Sequence, residues 1–153
     1  MTLEDLENTL PNGLHDAEVG KLSVDYVGRT LTLDLLVWVG DMNDPPERRE
    51  AYRTGRLELS GLKFLVVEPP DPGYPFQDSG PLTIYGCDMS QNLNGALLKS
   101  LPQEAFVRSL WVDEWNSFMH VAAPRAEIVW EGDEVLYRSQ RQHFAPGETI
   151  DLI

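Results

Sequence analysis

Two adjacent residues near the start of the chain, His15 and Asp16, are of the types that bind metal ions in metal-dependent phosphohydrolases. That chemistry needs several ligands converging on one or two ions. The chain has only three histidines, and no two of them share the helical spacing of a metal pair: His15, His120 and His143. We therefore predict no metal site here. The favoured interpretation is that His15 and Asp16 bond to backbone groups where the first helix ends and the first strand begins.

Other motifs that could take part in catalysis or ion binding lack the residue spacing that such sites require. Residues 41–44 resemble the start of a calcium loop, but Pro46 occupies the position where that loop needs glycine for its sharp turn. Cys87 is followed by Asp88, whose carboxylate opposes thiolate formation, so we interpret Cys87 as a buried structural residue. No Gly-x-Ser-x-Gly elbow and no glycine-rich phosphate loop occurs. We predict no cofactor, and the sequence favours a protein without catalytic activity.

Aromatic residues are concentrated late in the chain, where they could line a ligand cleft or anchor an interface. They are Trp111, Trp115, Phe118, His120 and Trp130. Such residues are more often part of a core, and His120 gains functional interest only beside Glu127 or His15. Tyr74 and Phe76 lie in a Pro-rich stretch, where they contact a partner or pin the loop to the core; both interpretations stay open. The candidate site residues are therefore His15, Asp16, His120, Glu127, Trp115, Tyr74 and Phe76.

The elements that must position these side chains are mainly β-strands. Apolar and polar residues alternate over 18–26 and again over 31–39, which predicts a β-hairpin. Gly28 would supply the positive φ of its tight reversal. In the next strand, over 57–66, the side-chain phase flips, and a β-bulge at Gly61 would restore a single buried face.

Helices are predicted to be few and short. Thr2 can cap an N-terminal helix that ends at residues 11–13, and a second short helix is predicted near 95–100. Residues 40–54 form a turn followed by either a short charged helix or an extended edge, and the pattern leaves both open. Residues 68–80 are too rich in Pro and Gly for regular structure and form the long loop of the protein.

The remaining strands are joined by short turns. They are predicted at 82–85, 106–111, 118–122, 126–130 and 135–137. Strands connected in this way, without long helices between them, favour an antiparallel sandwich or a partly open barrel over a parallel α/β sheet. The predicted fold class is mainly β, an α+β fold with minor helix, in a single domain spanning 1–153.

Charge limits the classes of partner. The chain has 25 acidic and 12 basic residues and a net charge of −13. The excess is spread evenly, because residues 1–80 contain 15 acidic and 7 basic residues and residues 81–153 contain 10 and 5. An anionic surface repels phosphate backbones, so nucleic-acid binding is not expected, whereas a basic protein would be attracted. Solubility alone also accounts for such a charge.

Three features of the sequence indicate the cellular compartment of the protein. One cysteine cannot form an internal disulfide, which fits a reducing cytosol. The first seven residues contain acids where a signal peptide needs a basic stretch followed by an apolar one. No apolar run approaches the roughly 20 residues that cross a bilayer. We expect a cytoplasmic protein with no membrane role.

The stretch Leu10-Pro11-Asn12-Gly13-Leu14-His15-Asp16-Ala17, followed directly by a hairpin, resembles a group of small bacterial β domains. Those domains open with Gly-x-x-His-Asp-Ala/Ser, and some are named immunity proteins of polymorphic toxin systems. The match covers residues 10–39, about a fifth of the chain. The resemblance implies binding and neutralising a cognate toxin, with a structural role for His15 and Asp16.

Together these observations predict a non-enzymatic bacterial cytoplasmic protein that acts by protein–protein association, with neutralisation of a basic toxin as its most concrete form. The alternative is a small-molecule-binding protein or hydrolase with a cleft under the 68–80 loop. That alternative would use His15, Asp16, His120 or Glu127. Oligomeric state is not determined by any pattern in the sequence.

Overall fold

The strands of this protein form one antiparallel sheet, and the computed structural model describes residues 1–74, 79–88, 93–133 and 135–137. The strands are β1 Ala17–Asp25, β2 Thr30–Trp38, β3 Ala51–Ser60, β4 Phe64–Val67, β5 Leu82–Asp88, β6 Phe106–Val112, β7 Ser117–Ala123, β8 Arg125–Trp130 and β9 Leu136–Tyr137. The helices are α1 Leu3–Thr9, α2 Pro46–Arg49 and α3 Gly95–Ser100, with a 3-10 turn at Asp113–Trp115. The mainly β, antiparallel fold class is confirmed.

The sheet bends back on itself around one core. Its strand order is β4-β7-β6-β5-β1-β2-β3-β8, and β9 pairs with β3. The core is built from alternate residues of each strand, as a half-buried strand requires. In β2, for example, Leu31, Leu33, Leu35 and Val37 are all buried in it. One continuous sheet of this kind favours the partly open barrel over two stacked sheets.

Two bends in the chain close most of the sheet into a barrel. Gly61 separates β3 from β4 and adopts a φ of +71°, and Pro124 separates β7 from β8. Because β3 pairs with β8 while β4 pairs with β7, the two bent strands remain paired on both sides of the corner. The predicted phase change at Gly61 is therefore a corner of the sheet. Beyond it Leu62 and Leu65 pack on the core, whereas Phe64 and Val66, which the predicted phase placed there, do not.

The first hairpin is present, but its turn differs from the prediction. β1 ends at Asp25, so Tyr26 lies in a four-residue loop and not on a strand face. Positive φ falls on Arg29, at 53°, and not on Gly28. The cause is the Asp25 carboxylate, which accepts hydrogen bonds from the backbone N–H groups of Val27 and Gly28 and shapes a longer loop.

Both predicted helices, the N-terminal one and the one near 95–100, are confirmed. Thr2 accepts a hydrogen bond from the Asp5 N–H, and the Asp5 carboxylate accepts one from the Thr2 N–H, a capping box that begins α1. Leu3 and Leu6 place α1 in the core, and the Ala126 N–H of β8 donates to Met1 O at 2.8 Å. Helix α1 thus covers the start of β8.

Residues 40–54 contain both of the structures that the sequence left open. A turn leads to the one-turn helix α2, and β3 then begins at Ala51. Leu36, Tyr52 and Leu136 form a small second cluster on the outer face of β2 and β3, with Trp38 packed against it.

Candidate functional site

The His15–Asp16 turn feeds α1 into β1. Asp16 adopts a φ of 61°, a left-handed conformation that Asp tolerates better than most residues. Its backbone N–H donates to Ile84 O at 2.8 Å, which joins the turn to β5. His15 Nδ1 lies 3.1 Å from Asp16 Oδ2. The turn is thus tied to β5 through its backbone, whereas the side chains, which were expected to bond to backbone groups, contact each other and are nearly half exposed, at 45% and 47%.

These side chains lie against two aromatic rings. The ring of His15 is 4.9 Å from that of Tyr85 on β5 and 6.5 Å from that of Trp38 on β2. Trp38 is fixed by its indole N–H, which donates to Arg49 O at 2.8 Å. We name His15, Asp16, Trp38 and Tyr85 the aromatic patch. The sequence places His15 and Asp16 correctly between the first helix and the first strand, and it marks Trp38 as an aromatic residue that could anchor an interface, but it does not show that Trp38 and Tyr85 lie beside them.

His120 lies elsewhere and is fully buried. It pairs with Ser109 across β6 and β7, and Ser109 Oγ shares a 2.7 Å hydrogen bond with His120 Nδ1. His120 Nε2 lies 3.3 Å from Glu68 Oε2, and Glu68 Oε1 accepts the Phe118 N–H at 2.9 Å. The strands predicted at 106–111 and 118–122 are joined by a short turn, which would have allowed the Ser109–His120 pair to be found, whereas Glu68 comes from the 68–80 loop.

A serine, a histidine and a carboxylate in contact resemble a hydrolase triad, but this set cannot attack a substrate. The Ser109 side chain is fully buried, so its hydroxyl has no access to a scissile bond. The carboxylate of Glu68, which follows β4 directly, is also held by the backbone N–H group of Phe118 in β7. The arrangement ties the start of the long loop to β7, and Ser109 satisfies the buried His120 Nδ1, while His120 Nε2 has only the 3.3 Å contact with Glu68 and no hydrogen bond among the described residues.

Of the four residues of the predicted hydrolase site, His15 and Asp16 are in contact, but Glu127 and His120 lie apart from them. Glu127 is exposed on β8, and successive strand pairings align it with Glu58, Thr32 and then Ser23 of β1. Asp16 precedes Ser23 by seven residues, roughly 23 Å along a strand. Strands β6 and β5 separate the β7 residue His120 from β1, which is roughly 14 Å across the sheet.

The long loop is held against the 3-10 turn as far as it is described. Asp71 N–H donates to Trp115 O, and its carboxylate accepts hydrogen bonds from the Gly73 N–H and the Asn116 side chain. Those two bonds, the first more than the second, lower the pKa of Asp71 below its ordinary value. Tyr74 follows this anchor and is largely exposed, while Phe76 lies outside the described residues.

Beside this loop the sheet has a gap that we name the side opening. Beyond Val19 strand β1 no longer pairs with β5, and β4 is the terminal strand of the sheet order. A cavity of about 290 Å³ lies there, with largely apolar walls. Its side chains include Val19, Leu22, Val67, Leu82, Trp115 and Met119. The candidate Trp115 therefore lines a cleft, and the cleft lies next to the 68–80 loop, as the alternative function required.

A second cavity, of about 380 Å³, is polar and lies beside α1. Glu7 and Arg108 line it and form a 2.7 Å ion pair. Burial, and then the neighbouring Glu7 carboxylate, raise the pKa of the Cys87 thiol far above its ordinary value. The thiol is therefore protonated, as a structural cysteine would be, although the acid that acts on it is Glu7.

The chain matches no protein-family model, no curated protein and no solved structure. Within the described ranges, no three His, Cys, Asp or Glu residues are grouped as metal ligands would be. The helices described here are all too short to cross a membrane.

Proposed function

We propose that this protein acts by binding another protein at the side opening and not by catalysis. One observation carries the proposal. Leu22 and Val67 face the core side of their strands, yet they are 36% and 46% exposed because no strand among the described residues covers them. Apolar side chains on the inner face of a sheet are normally covered, and exposed ones beside an unpaired edge are typical of a binding surface.

Backbone groups on either side of the opening can hold an extended segment. In the described part of the chain, residues 20–25 of β1 pair only with β2, and β4 pairs only with β7. Edges of this kind offer N–H and C=O groups to an added strand. A partner segment with apolar side chains at alternate positions would pair with one edge and cover Leu22 and Val67.

Toxin neutralisation in a bacterial cytoplasm is the more specific version of this proposal. It is supported by the net charge of −13 and by the Gly-Leu-His-Asp-Ala opening of residues 13–17, which resembles the opening of those small bacterial β domains but has one residue fewer between Gly and His. A basic toxin would associate quickly with such a surface, and its association rate would fall as salt is added.

The proposal is tested with a purified partner and two matched variants. Val67→Glu places a charge in the side opening, whereas Val129→Glu places one at a similarly exposed site on the outer face of β8. We expect Val67→Glu to raise the dissociation constant of the complex at least tenfold, because the interface would bury its charge without an opposite charge beside it. Val129→Glu should leave the dissociation constant within about twofold of the wild-type value. Calorimetry on folded variants measures both, and equal affinities would rule out the opening as the interface.

A small apolar ligand is the second candidate occupant of the same opening. The cavity of about 290 Å³ is near the lower end of the range for ligand pockets, and Trp115 forms part of its wall. Titration with decanoate, followed by tryptophan fluorescence, tests this version directly. Saturable quenching that disappears in Trp115→Phe would support it, and a linear response equal in both proteins would refute it.

A further inference from the structure

The aromatic patch is separate from the side opening and is not used by the proposed strand addition. Its residues His15 and Asp16 precede β1, whereas the side opening starts beyond Val19 of that strand. We infer that the aromatic patch binds the guanidinium group of an arginine side chain on a basic partner protein. The partner protein itself rests on the proposed function, but the recognition of the guanidinium can be tested without it.

Tyr85 provides the surface for stacking. Its side chain is 56% exposed although one part of its ring contacts His15 at an interplanar angle of 51°. The remainder of the ring therefore faces solvent. A planar guanidinium group stacks on such a ring and is attracted by its π-electrons.

Asp16 provides the charge. Its backbone is bonded to Ile84, the residue before Tyr85, and its carboxylate contacts the His15 ring, which in turn contacts the phenol ring of Tyr85. A carboxylate beside an exposed aromatic ring is complementary to arginine, which forms charge-assisted hydrogen bonds through its N–H groups while its plane stacks. The net charge of −13 adds a long-range attraction for cations.

The patch is held in place before any ligand arrives. Asn12 donates hydrogen bonds to Trp38 O and Gly40 O, and Trp38 donates to Arg49 O. Arg49 Nε in turn donates to Asp44 O, so this nearby guanidinium already has a backbone partner. Because the Trp38 ring and the turn are fixed, binding orders few further side chains and loses little entropy.

The experiment uses a minimal probe, acetyl-Gly-Arg-Gly-amide, and its citrulline counterpart, which has the same shape without the charge. Both are titrated into the ¹⁵N-labelled full chain and followed by NMR. We expect saturable shifts at the Asp16 and Tyr85 amides and the Trp38 indole N–H with the arginine peptide only. Shifts spread over the acidic surface with no preference for these groups would overturn the inference.

Variants separate recognition from a purely structural role. Tyr85→Ala is expected to weaken peptide binding about threefold to fivefold, whereas Tyr85→Phe retains the ring and the affinity. The matched control is Tyr26→Ala, which removes a ring of similar exposure at the hairpin tip and leaves binding unchanged. Equal effects of the two alanine variants would overturn the inference. Val67→Glu should bind the peptide like wild type, so failure at the side opening is distinguishable from failure here.

Discussion

Cys87 illustrates how burial decides the chemistry of a single residue. The thiolate is the reactive form of cysteine, and burial together with Glu7 raises the pKa of this thiol, so the folded protein holds it protonated. We predict that the folded chain reacts with Ellman's reagent at pH 8 at least tenfold more slowly than the chain unfolded in guanidinium chloride. The rate should stay low up to pH 9. Equal rates in the two states would contradict the assignment.

Ser109 tests whether the buried His120 network is structural. Ser109→Ala leaves the buried His120 Nδ1 without its hydrogen-bond partner, and such a loss costs about 1–3 kcal/mol. We predict that the free energy of unfolding in urea falls by that amount while peptide binding at the aromatic patch is unchanged. Ser23→Ala, an exposed serine on β1, is the control and should change stability by less than about 0.5 kcal/mol. Unchanged stability in Ser109→Ala would argue against a structural role.

Residue types alone identified the turn but not its neighbours. The side chains of His15 and Asp16 were expected to bond to backbone groups where a helix gives way to a strand, but they contact each other, and it is the Asp16 backbone N–H that bonds to Ile84 O. Their contact with Tyr85 depends on how β5 pairs with β1, which no local pattern specifies. The Glu68 contact of His120 was hidden for the same reason, since it joins a loop to a strand about 50 residues away.

At the scale of the elements, Gly61 makes the corner between β3 and β4. Its φ of +71° is strained for other residues, and an added Cβ would lie 2.8 Å from the Pro124 ring. We predict that Gly61→Ala lowers the free energy of unfolding by about 1–2 kcal/mol. Gly95→Ala is the matched control because a Cβ there meets no atom within 4 Å, and alanine in α3 should be neutral or stabilising. Equal unfolding free energies for the two variants would exclude strain at the corner.

Strands with a strict alternation of apolar and polar residues were predictable, and the first hairpin is the clearest example. Its turn was not, because the Asp25 side chain competes for backbone N–H groups and lengthens the loop. The side opening could not be predicted from the sequence either. Leu22 alternates like any core residue, and its exposure arises only because β5 stops pairing with β1 after Val19.

At the scale of the whole molecule, charge acts on stability as well as on partners. A net charge of −13 makes the folded state repel itself, and ion pairs such as Arg108–Glu7 offset only part of this. The distance over which surface charges interact falls from about 30 Å at 10 mM salt to about 10 Å at 100 mM. Salt should therefore stabilise this fold, in contrast to proteins held by exposed ion pairs.

We predict that raising NaCl from 10 to 300 mM increases the free energy of unfolding by on the order of 1 kcal/mol, or about 2–4 °C in melting temperature. Choline chloride should act equally, because the effect is screening and not sodium binding. Glu104→Lys changes an exposed acid to a base and should reduce the salt dependence, since it lowers the repulsion that salt screens. A melting temperature that is independent of salt in the wild-type chain would mean that the dispersed acidic surface does not strain the fold, leaving solubility and partner attraction as its only physical consequences.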